Sequence, residues 1–257
     1  MSNISKEYIE KELSGSFYKI EVEQSVTSTN SIMKNRAKEG YEEFSVLIAA
    51  HQSGGRGRSG RSFHSPCDTG LYMSILLKPQ DKLNPLFITT DAAVCCARVF
   101  ERMSKKSTFI KWVNDIYIDN RKVCGILTEG ATGENGYAVL GIGVNITPPK
   151  EGFPEDIKDR AGCVFEGDSP FIREKIAVGI LKEFYNIYTT ESRKALLCEY
   201  RERSMVIGKE IEILKDDMHE KAFVLSIDED YSLVIKKQNG DIVRKNSGEI
   251  SIKIEQN

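Results

Sequence analysis

Residues 44–77 read FSVLIAAHQSGGRGRSGRSFHSPCDTGLYMSILL. Two mainly apolar runs, at residues 44–50 and 71–77, each with one serine, enclose a stretch that is rich in glycine and arginine. Short apolar runs bounded by turn residues are typical of buried strands. The sequence therefore predicts two buried strands joined by a glycine-rich connection.

The connection at residues 54–61 contains four glycines and three arginines, and no acidic residue lies between His51 and His64. Glycine lets the backbone approach a ligand and adopt positive φ. Arginine presents a planar set of donors that suits carboxylate and phosphate. The pattern is neither a P-loop nor a dinucleotide fingerprint. We interpret it as an anion-binding loop. The alternatives are a flexible surface loop and an RNA-contacting Arg-Gly segment, although such segments usually repeat and this one occurs once.

Hydrophobic spacing outlines the rest of the chain. It predicts helices near residues 5–13, 28–40, 85–103 and 169–205, and further strands near 17–23, 109–112, 116–118, 123–127 and 137–146. A turn is expected at residues 119–122. After residue 205 the pattern changes to five short strands, with Asn239-Gly240 marking a hairpin turn. These observations predict an α/β (α+β) fold, with a mixed β-sheet and helices packed on one face in residues 1–205 and a small β-barrel in residues 206–257.

Composition narrows the class of protein. The 257 residues carry 36 basic and 38 acidic side chains, a net charge of −2, which argues against a nucleic-acid-binding protein. Six cysteines without a C-x-x-C pair argue against a disulfide framework and a zinc site. No apolar leader and no apolar run of about 18 residues occurs. We therefore expect a cytoplasmic protein without a membrane partner.

Two further stretches carry chemistry. Lys111 and Lys122 lie on neighbouring predicted strands, so both can reach one phosphate or carboxylate. Asn114 and Asp115 are candidates for Mg²⁺ or ribose contacts, although such residues are also typical of a strand edge and turn. Residues 141–145 (GIGVN) place glycines inside a strand, which favours close approach by another group.

Taken together, these motifs resemble biotin–protein ligases. The resemblance rests on GRGRSGR followed by FHSP, on KWVND, on RKVCGIL-x-E and on GIGVN, with Ser28-Thr29-Asn30 upstream. Val113 stands where the family usually has proline, Ser59 where it has arginine, and Phe63 where tryptophan is common. Phe63 keeps an aromatic face for adenine but lacks the indole N–H.

The resemblance implies a catalytic domain in residues 1–205 and an SH3-like barrel in residues 206–257. It implies activation of biotin by ATP and Mg²⁺ to biotinyl-5′-AMP, then transfer to a lysine of a biotin carrier domain from a carboxylase or decarboxylase. The implied catalytic residues are Arg58, Lys111 and Lys122. The implied biotin-binding residues are Ser28, Thr29, Asn30, Gln52, Arg56, Gly57, Arg58, Lys122 and Gly125. The implied ATP- and adenylate-binding residues are Arg58, Arg61, Phe63, Lys111, Asn114, Asp115 and Asn145. Mg²⁺ is expected to enter with ATP, without a site made by protein ligands alone.

Two other functions stay open at this point. Lipoate–protein ligases share the fold and the acyl-adenylate chemistry, but they carry a different glycine-rich element, so biotin is favoured. Some biotin ligases also repress transcription through an N-terminal DNA-binding domain. Only about 15 residues precede the first predicted strand here, too few for a helix-turn-helix, so we expect no DNA partner. The resemblance leaves a homodimer open.

Overall fold

The computed structural model describes residues 4–79, 84–133, 136–215, 218–246 and 249–252. The helices within these ranges are α1 (Lys6–Glu12), α2 (Thr29–Lys38), α3 (Pro85–Ser104), α4 (Ile172–Thr190) and α5 (Arg193–Glu202). The strands are β1 (Lys19–Glu23), β2 (Ser45–Ala49), β3 (Gly70–Leu77), β4 (Phe109–Lys111), β5 (Asp115–Ile118), β6 (Arg121–Ala131), β7 (Tyr137–Asn145), β8 (Glu210–Lys215), β9 (Met218–Ile227), β10 (Leu233–Lys237), β11 (Ile242–Lys245) and β12 (Glu249–Ile252).

The first seven strands form one mixed sheet in the order β1-β2-β3-β7-β6-β5-β4. β1 and β2 are parallel, and the remaining pairs are antiparallel. Every described side chain of β2 and β3 is buried, as their apolar runs predict. The predicted mixed sheet is therefore confirmed, and the glycine-rich connection joins two of its neighbouring strands.

Helices cover both faces of this sheet. α1, α3, α4 and α5 contribute to the main core, together with side chains such as Val46 and Ile75. α2 lies on the opposite face, where Met33 packs against Leu47 and Leu76. Successive strand residues point to opposite faces, which separates Val46 from Leu47. Helices were predicted on one face of the sheet; four helices in the described ranges agree with this prediction, whereas α2 lies on the other face. Helical spacing identifies an apolar stripe without showing which face of a sheet it will cover.

The turn between β5 and β6 is shorter than predicted. Asp119 and Asn120 have φ values of 50° and 59°, which is the backbone of a two-residue type I′ hairpin turn. β6 therefore begins at Arg121, and Lys122 lies on the strand. Because a residue on a paired strand has a fixed backbone position, the Cα atom of Lys122 is held in place relative to the neighbouring strands.

The C-terminal strands form a five-stranded antiparallel sheet in the order β11-β10-β9-β8-β12, as the regular spacing predicts. The last strand was predicted at residues 250–254, and its part after Ile252 lies outside the described residues. This sheet packs on the first one: the indole Nε1 of Trp112 donates to the backbone oxygen of Tyr231 at 2.9 Å. Core residues from both sheets belong to one cluster. The division at residue 206 therefore stays a prediction. No helix in the described part of the chain is long and apolar enough to cross a membrane.

The shared core predicts that both sheets unfold together. Trp112 is the sole tryptophan of the sequence and lies at their contact, so its fluorescence reports on that contact. In a urea titration, tryptophan fluorescence and far-ultraviolet circular dichroism should follow one coincident transition. A variant that ends at Met205 should show shifted tryptophan emission and a lower midpoint. If the circular dichroism of the full chain instead showed a second transition during which the tryptophan fluorescence did not change, the two sheets would unfold independently.

Candidate functional site

A cavity of about 250 Å³ opens between the glycine-rich connection, the start of α2 and the strands β6 and β7. Nearly all of the site residues predicted from sequence line it: Ser28, Thr29, Asn30, Gln52, Arg56, Gly57, Arg58, Arg61, Phe63, Lys111, Asn114, Asp115, Lys122 and Gly125. Asn145 is absent from the lining. Segments that lie far apart in sequence therefore meet at one place, because β6 and β7 are paired beside β3.

One end of the cavity is built from interlocked neutral polar groups. Ser28 caps α2, and its side chain accepts from the backbone N–H of Ser31. The Oε1 atom of Gln52 accepts from the backbone N–H of Thr29 at 2.9 Å and from its hydroxyl at 3.1 Å. The Nε2 atom of Gln52 donates to the hydroxyl of Ser65 at 3.1 Å. The positions of these hydroxyl and amide groups are fixed before a ligand arrives.

Asn30 fastens α2 to the sheet at the same end. Its Nδ2 donates to the backbone oxygen of Leu127 at 3.2 Å and to Oε2 of Glu129 at 3.0 Å. Its Oδ1 accepts from the buried hydroxyl of Ser74 at 2.6 Å. Both amide hydrogens are thus used inside the protein. Asn30 lines the cavity and orients the neighbouring groups, and it keeps no spare N–H for a ligand.

The strand glycines make room for two side chains. Gly125 and Gly143 lie opposite each other on β6 and β7, and the ring of Phe63 lies against both. A Cβ atom at Gly143 would come within 2.7 Å of this ring, and a Cβ atom at Gly125 within 3.1 Å. A Cβ atom at Gly141 would collide with the amide of Asn30. The glycine alternation in β7 is explained by these close approaches.

The glycine-rich connection folds back on itself beside the cavity. The backbone N–H of Gly57 donates to the oxygen of Arg61 at 2.7 Å, and Ser59 has a φ of 53°. Arg58 donates to Oδ1 of Asn114 at 3.3 Å. Arg56 extends the other way, with its Nη1 3.8 Å from the carboxylate of Glu129. The two arginines therefore attach the connection to both ends of the cavity.

The other end of the cavity is strongly positive. Among the described residues, the lining of this end includes the cations Arg58, Arg61, Lys111, Lys122 and Arg160, and one carboxylate, that of Asp115. The remaining lining cation, Arg56, lies at the other end, beside Glu129. Asp115 forms an ion pair with Lys122 at 2.7 Å. Burial lowers the pKa of Lys111; Asp115 opposes this change, whereas the charges of Lys122, Arg61 and Arg160 add to it. Burial and the neighbouring cations together therefore disfavour the charged form of Lys111. This end suits a ligand with several negative charges.

Sequence reasoning missed Arg160, and it did not predict the structural contact of Asn145, whose adenylate-binding role stays a prediction. The Nδ2 atom of Asn145 donates to the backbone oxygen of Gly162 at 3.1 Å, so it holds the segment that carries Arg160. This segment lies in a stretch of mixed charges without a recognisable motif, and no signal in the sequence pointed to it. Other lining residues outside the predicted set are Ser62, Met73, Trp112, Ile126, Leu127, Gly141, Ile142, Gly143 and Ile250.

Comparisons with known proteins agree on one family. Residues 22–145 match the model described as the biotin/lipoate A/B protein ligase family. The bifunctional ligase/repressor BirA of Bacillus spizizenii is 30% identical over 224 residues, which cover 84% of this chain and 68% of that protein. The biotin–[acetyl-CoA-carboxylase] ligase of Mycobacterium tuberculosis is 29% identical over 195 residues, 72% of this chain and 71% of that protein. The structure of the biotin protein ligase from Aquifex aeolicus in complex with biotin and ATP has a TM-score of 0.77 at 27% identity, covering 92% of this chain and 99% of that one.

The contact between Gly143 and Phe63 can be tested directly. Gly143→Ala should lower the free energy of unfolding by about 1–3 kcal/mol, because the added methyl group forces the ring away from the sheet. Gly167 has open space around its Cβ position and no positive φ, so Gly167→Ala is the matched control and should change stability by less than about 0.5 kcal/mol. Urea unfolding measures both. Equal stabilities of the two variants would contradict the proposed close fit.

The cationic end should reduce stability. Because the pKa of Lys111 is lower in the folded protein than in the unfolded chain, the unfolded chain holds its proton more tightly. The resulting penalty is present at neutral pH and disappears as the pH rises toward the ordinary lysine pKa. Lys111→Met should therefore raise the melting temperature near pH 7, with a smaller gain at about pH 10.

Lys106 provides the control for this experiment, since its pKa is raised by a hydrogen bond to Asp119. Lys106→Met removes a favourably placed charge and should not raise the melting temperature. If Lys111→Met were no more stable than the wild-type protein near pH 7, the description of Lys111 as a destabilising buried cation would be wrong.

Proposed function

The chain belongs to the biotin/lipoate A/B protein ligase family, and we propose that it is an ATP-dependent biotin–protein ligase. The observation that carries this proposal is the form of the cavity, which joins a neutral, hydrogen-bonding end to a strongly cationic end. Biotin offers a neutral ureido ring at one end and a carboxylate at the other, and ATP adds further negative charge. Relatives named as biotin ligases, and a similar structure that contains biotin and ATP, support the same assignment.

The first step of this reaction brings two anions together. An oxygen of the biotin carboxylate attacks the α-phosphorus of ATP, the bond from that phosphorus to the bridging oxygen breaks, and pyrophosphate leaves with the electron pair. Fixed cations stabilise the charge that develops in such a step. Arg58, Lys111 and Lys122 are the side chains we assign to this role. Lys122 is positioned by β6 and by its ion pair with Asp115.

The second step transfers biotin to protein. The amine of a lysine on a carrier domain attacks the carbonyl carbon of biotinyl-5′-AMP, an amide bond forms, and AMP leaves. We propose the biotin carrier domain of a biotin-dependent carboxylase or decarboxylase as the acceptor. The adenylate must be kept from water before this step. Residues 53–61 already contact Asn114 and Glu129 across the cavity, so they are placed to cover the intermediate.

The other lining residues are assigned to parts of the ligand according to the end of the cavity at which they lie. Ser28, Thr29 and Gln52 are assigned to the ureido ring of biotin, with Gly125 allowing close approach. Phe63 and Arg61 are assigned to the adenylate. Asn30 and Asn145 have a supporting role, because their amide groups are used to hold α2 and the segment around Gly162.

The donor atoms fit Mg²⁺ that is bound together with ATP. Mg²⁺ commonly takes one or two carboxylates and completes its shell with phosphate oxygens and water. Asp115 is the carboxylate that lines the described cavity, and among the described residues no three His, Cys, Asp or Glu side chains converge on a metal site. Asp115 would therefore hold the ion, which would supply charge neutralisation at the phosphates.

Other properties stay predictions. The Bacillus relative is named as a repressor as well as a ligase; for this chain, absence of DNA binding is the prediction, which a salt-dependent titration with DNA tests. A homodimer is tested by light scattering at increasing protein concentration. A cytoplasmic location is tested by cell fractionation.

The direct test of function uses ATP, Mg²⁺, biotin and a biotin carrier domain, followed by intact mass measurement of the carrier. The expected result is a mass increase of one biotinyl group, which depends on ATP and on the carrier lysine. A parallel reaction with lipoate and a lipoyl domain tests the alternative within the family. Modification of the lipoyl domain, with an unchanged biotin carrier, would overturn the assignment to biotin.

Lys122 should dominate the first step. A charge-assisted hydrogen bond contributes roughly 1.5–3 kcal/mol, so Lys122→Ala should slow biotin-dependent pyrophosphate exchange by about 10- to 100-fold. Lys122→Arg should restore only part of this rate, because a planar guanidinium does not replace a compact ammonium. Arg58→Ala should let the adenylate dissociate faster while the melting temperature stays unchanged. If Lys122→Ala instead retained normal exchange and melted much lower, Lys122 would be structural.

A further inference from the structure

Arg160 reaches the cavity from a segment that is fixed to the start of β6. The backbone N–H of Lys122 donates to the oxygen of Arg160 at 2.7 Å, and the N–H of Gly162 donates back to the oxygen of Lys122 at 2.8 Å. The amide of Asn145 adds a third hydrogen bond, to Gly162. The segment from Arg160 to Gly162 is thus hydrogen-bonded to β6 and to the last residue of β7.

The guanidinium group of Arg160 has no structural partner in the part of the chain that the structure describes. No ion pair or side-chain hydrogen bond joins it to another described residue, although its charge acts on Lys111 and on Tyr117. The residue is exposed at the rim of the cavity and still contributes to its lining. A fixed backbone with an unpaired cation, directed into a site that already contains excess positive charge, points to an anionic ligand.

The point at which the Arg160 segment is attached to β6 indicates which part of the ligand Arg160 meets. Asn30 and the polar groups around it contact β6 at Leu127. Lys122 precedes Leu127 by five positions, about 17 Å on an extended strand. Arg160 is attached at Lys122, so it lies at the opposite end of the cavity from the groups assigned to the ureido ring.

We propose that Arg160 binds the β- and γ-phosphates of ATP, the group that leaves as pyrophosphate. This inference rests on the proposed function. In phosphoryl and nucleotidyl transfer the attacking and leaving oxygens lie roughly in line on opposite sides of phosphorus. Biotin approaches from the end near Leu127, with the α-phosphate near Lys122. The leaving group therefore extends past Lys122 toward Arg160. After pyrophosphate leaves, Arg160 has no contact with the adenylate.

The loss of Arg160 should therefore affect ATP and pyrophosphate selectively. In Arg160→Ala, the KM for ATP in biotin-dependent pyrophosphate exchange should rise about tenfold, as expected for one charge-assisted hydrogen bond. The affinity for inorganic pyrophosphate with Mg²⁺, measured by calorimetry, should fall by a similar factor. The affinity for biotin and for a non-hydrolysable biotinyl-adenylate analogue should not change. Arg160→Lys should recover part of the ATP affinity.

Lys158 supplies the matched control. It lies on the same segment, pairs with Glu155 and does not belong to the cavity lining. Lys158→Ala should leave every one of these constants unchanged. Melting temperatures of both variants should match that of the wild-type protein, because neither side chain is buried.

The outcomes separate the two proposals. If the wild-type protein biotinylates its carrier and Arg160→Ala has a normal KM for ATP and normal pyrophosphate affinity, Arg160 does not bind these phosphates and the proposed function stands. Equal weakening of the adenylate analogue would place Arg160 at the α-phosphate or adenosine and would also overturn the inference. A wild-type protein without biotin-dependent exchange would overturn the proposed function and, with it, the role of Arg160.

Discussion

The antiparallel pairing of β6 with β7, which places Gly125 opposite Gly143, is the constraint on which the site depends. Two facing glycines leave a depression in an otherwise continuous sheet surface, and the ring of Phe63 lies against it. The same strand accepts the hydrogen bond from Asn30 through Leu127 and starts at Lys122, where the Arg160 segment is attached. The distance between the two ends of the cavity is thus set by the length of β6 between Lys122 and Leu127. Backbone pairing maintains that spacing more rigidly than loop contacts could.

The cationic end shows how function opposes stability in this fold. Lys111 is partly withdrawn from water and lies near other cations, so its charged form is disfavoured. A phosphate-bearing ligand reverses this penalty, since it supplies the missing negative charge. In the free state Lys111 therefore carries an unfavourable contribution from burial and from nearby cations, which a bound anion offsets. Asp115 reduces the repulsion through Lys122 without neutralising the whole group, which leaves the site selective for anions.

The sequence predicted the elements with strong local signals. The apolar runs of β2 and β3, the hydroxyl cap of α2 and the glycine–arginine connection all reappear in the structure. The resemblance brought together the distant site residues that line the cavity, but several other features that depend on tertiary contacts were not predicted. The face covered by α2 depends on which strand residues it meets, and the role of Asn145 depends on a distant backbone oxygen. Arg160 was missed because its importance comes from attachment to Lys122, and a stretch of mixed charge contains no trace of that attachment.

The two ends of the cavity differ in how their side chains are held. At the neutral end, Gln52, Thr29, Asn30 and Ser74 fix one another through short hydrogen bonds on a helix and a sheet. Such a preorganised end loses little conformational freedom when it binds a neutral ring. At the cationic end, several donors come from connections between elements. Arg58 and Arg61 belong to the glycine-rich connection, whereas Lys111 and Lys122 lie on strands and the Arg160 segment is hydrogen-bonded to the start of β6. The neutral end is thus fixed by side-chain hydrogen bonds, whereas the cationic end takes its geometry from the backbone of two strands and two connections.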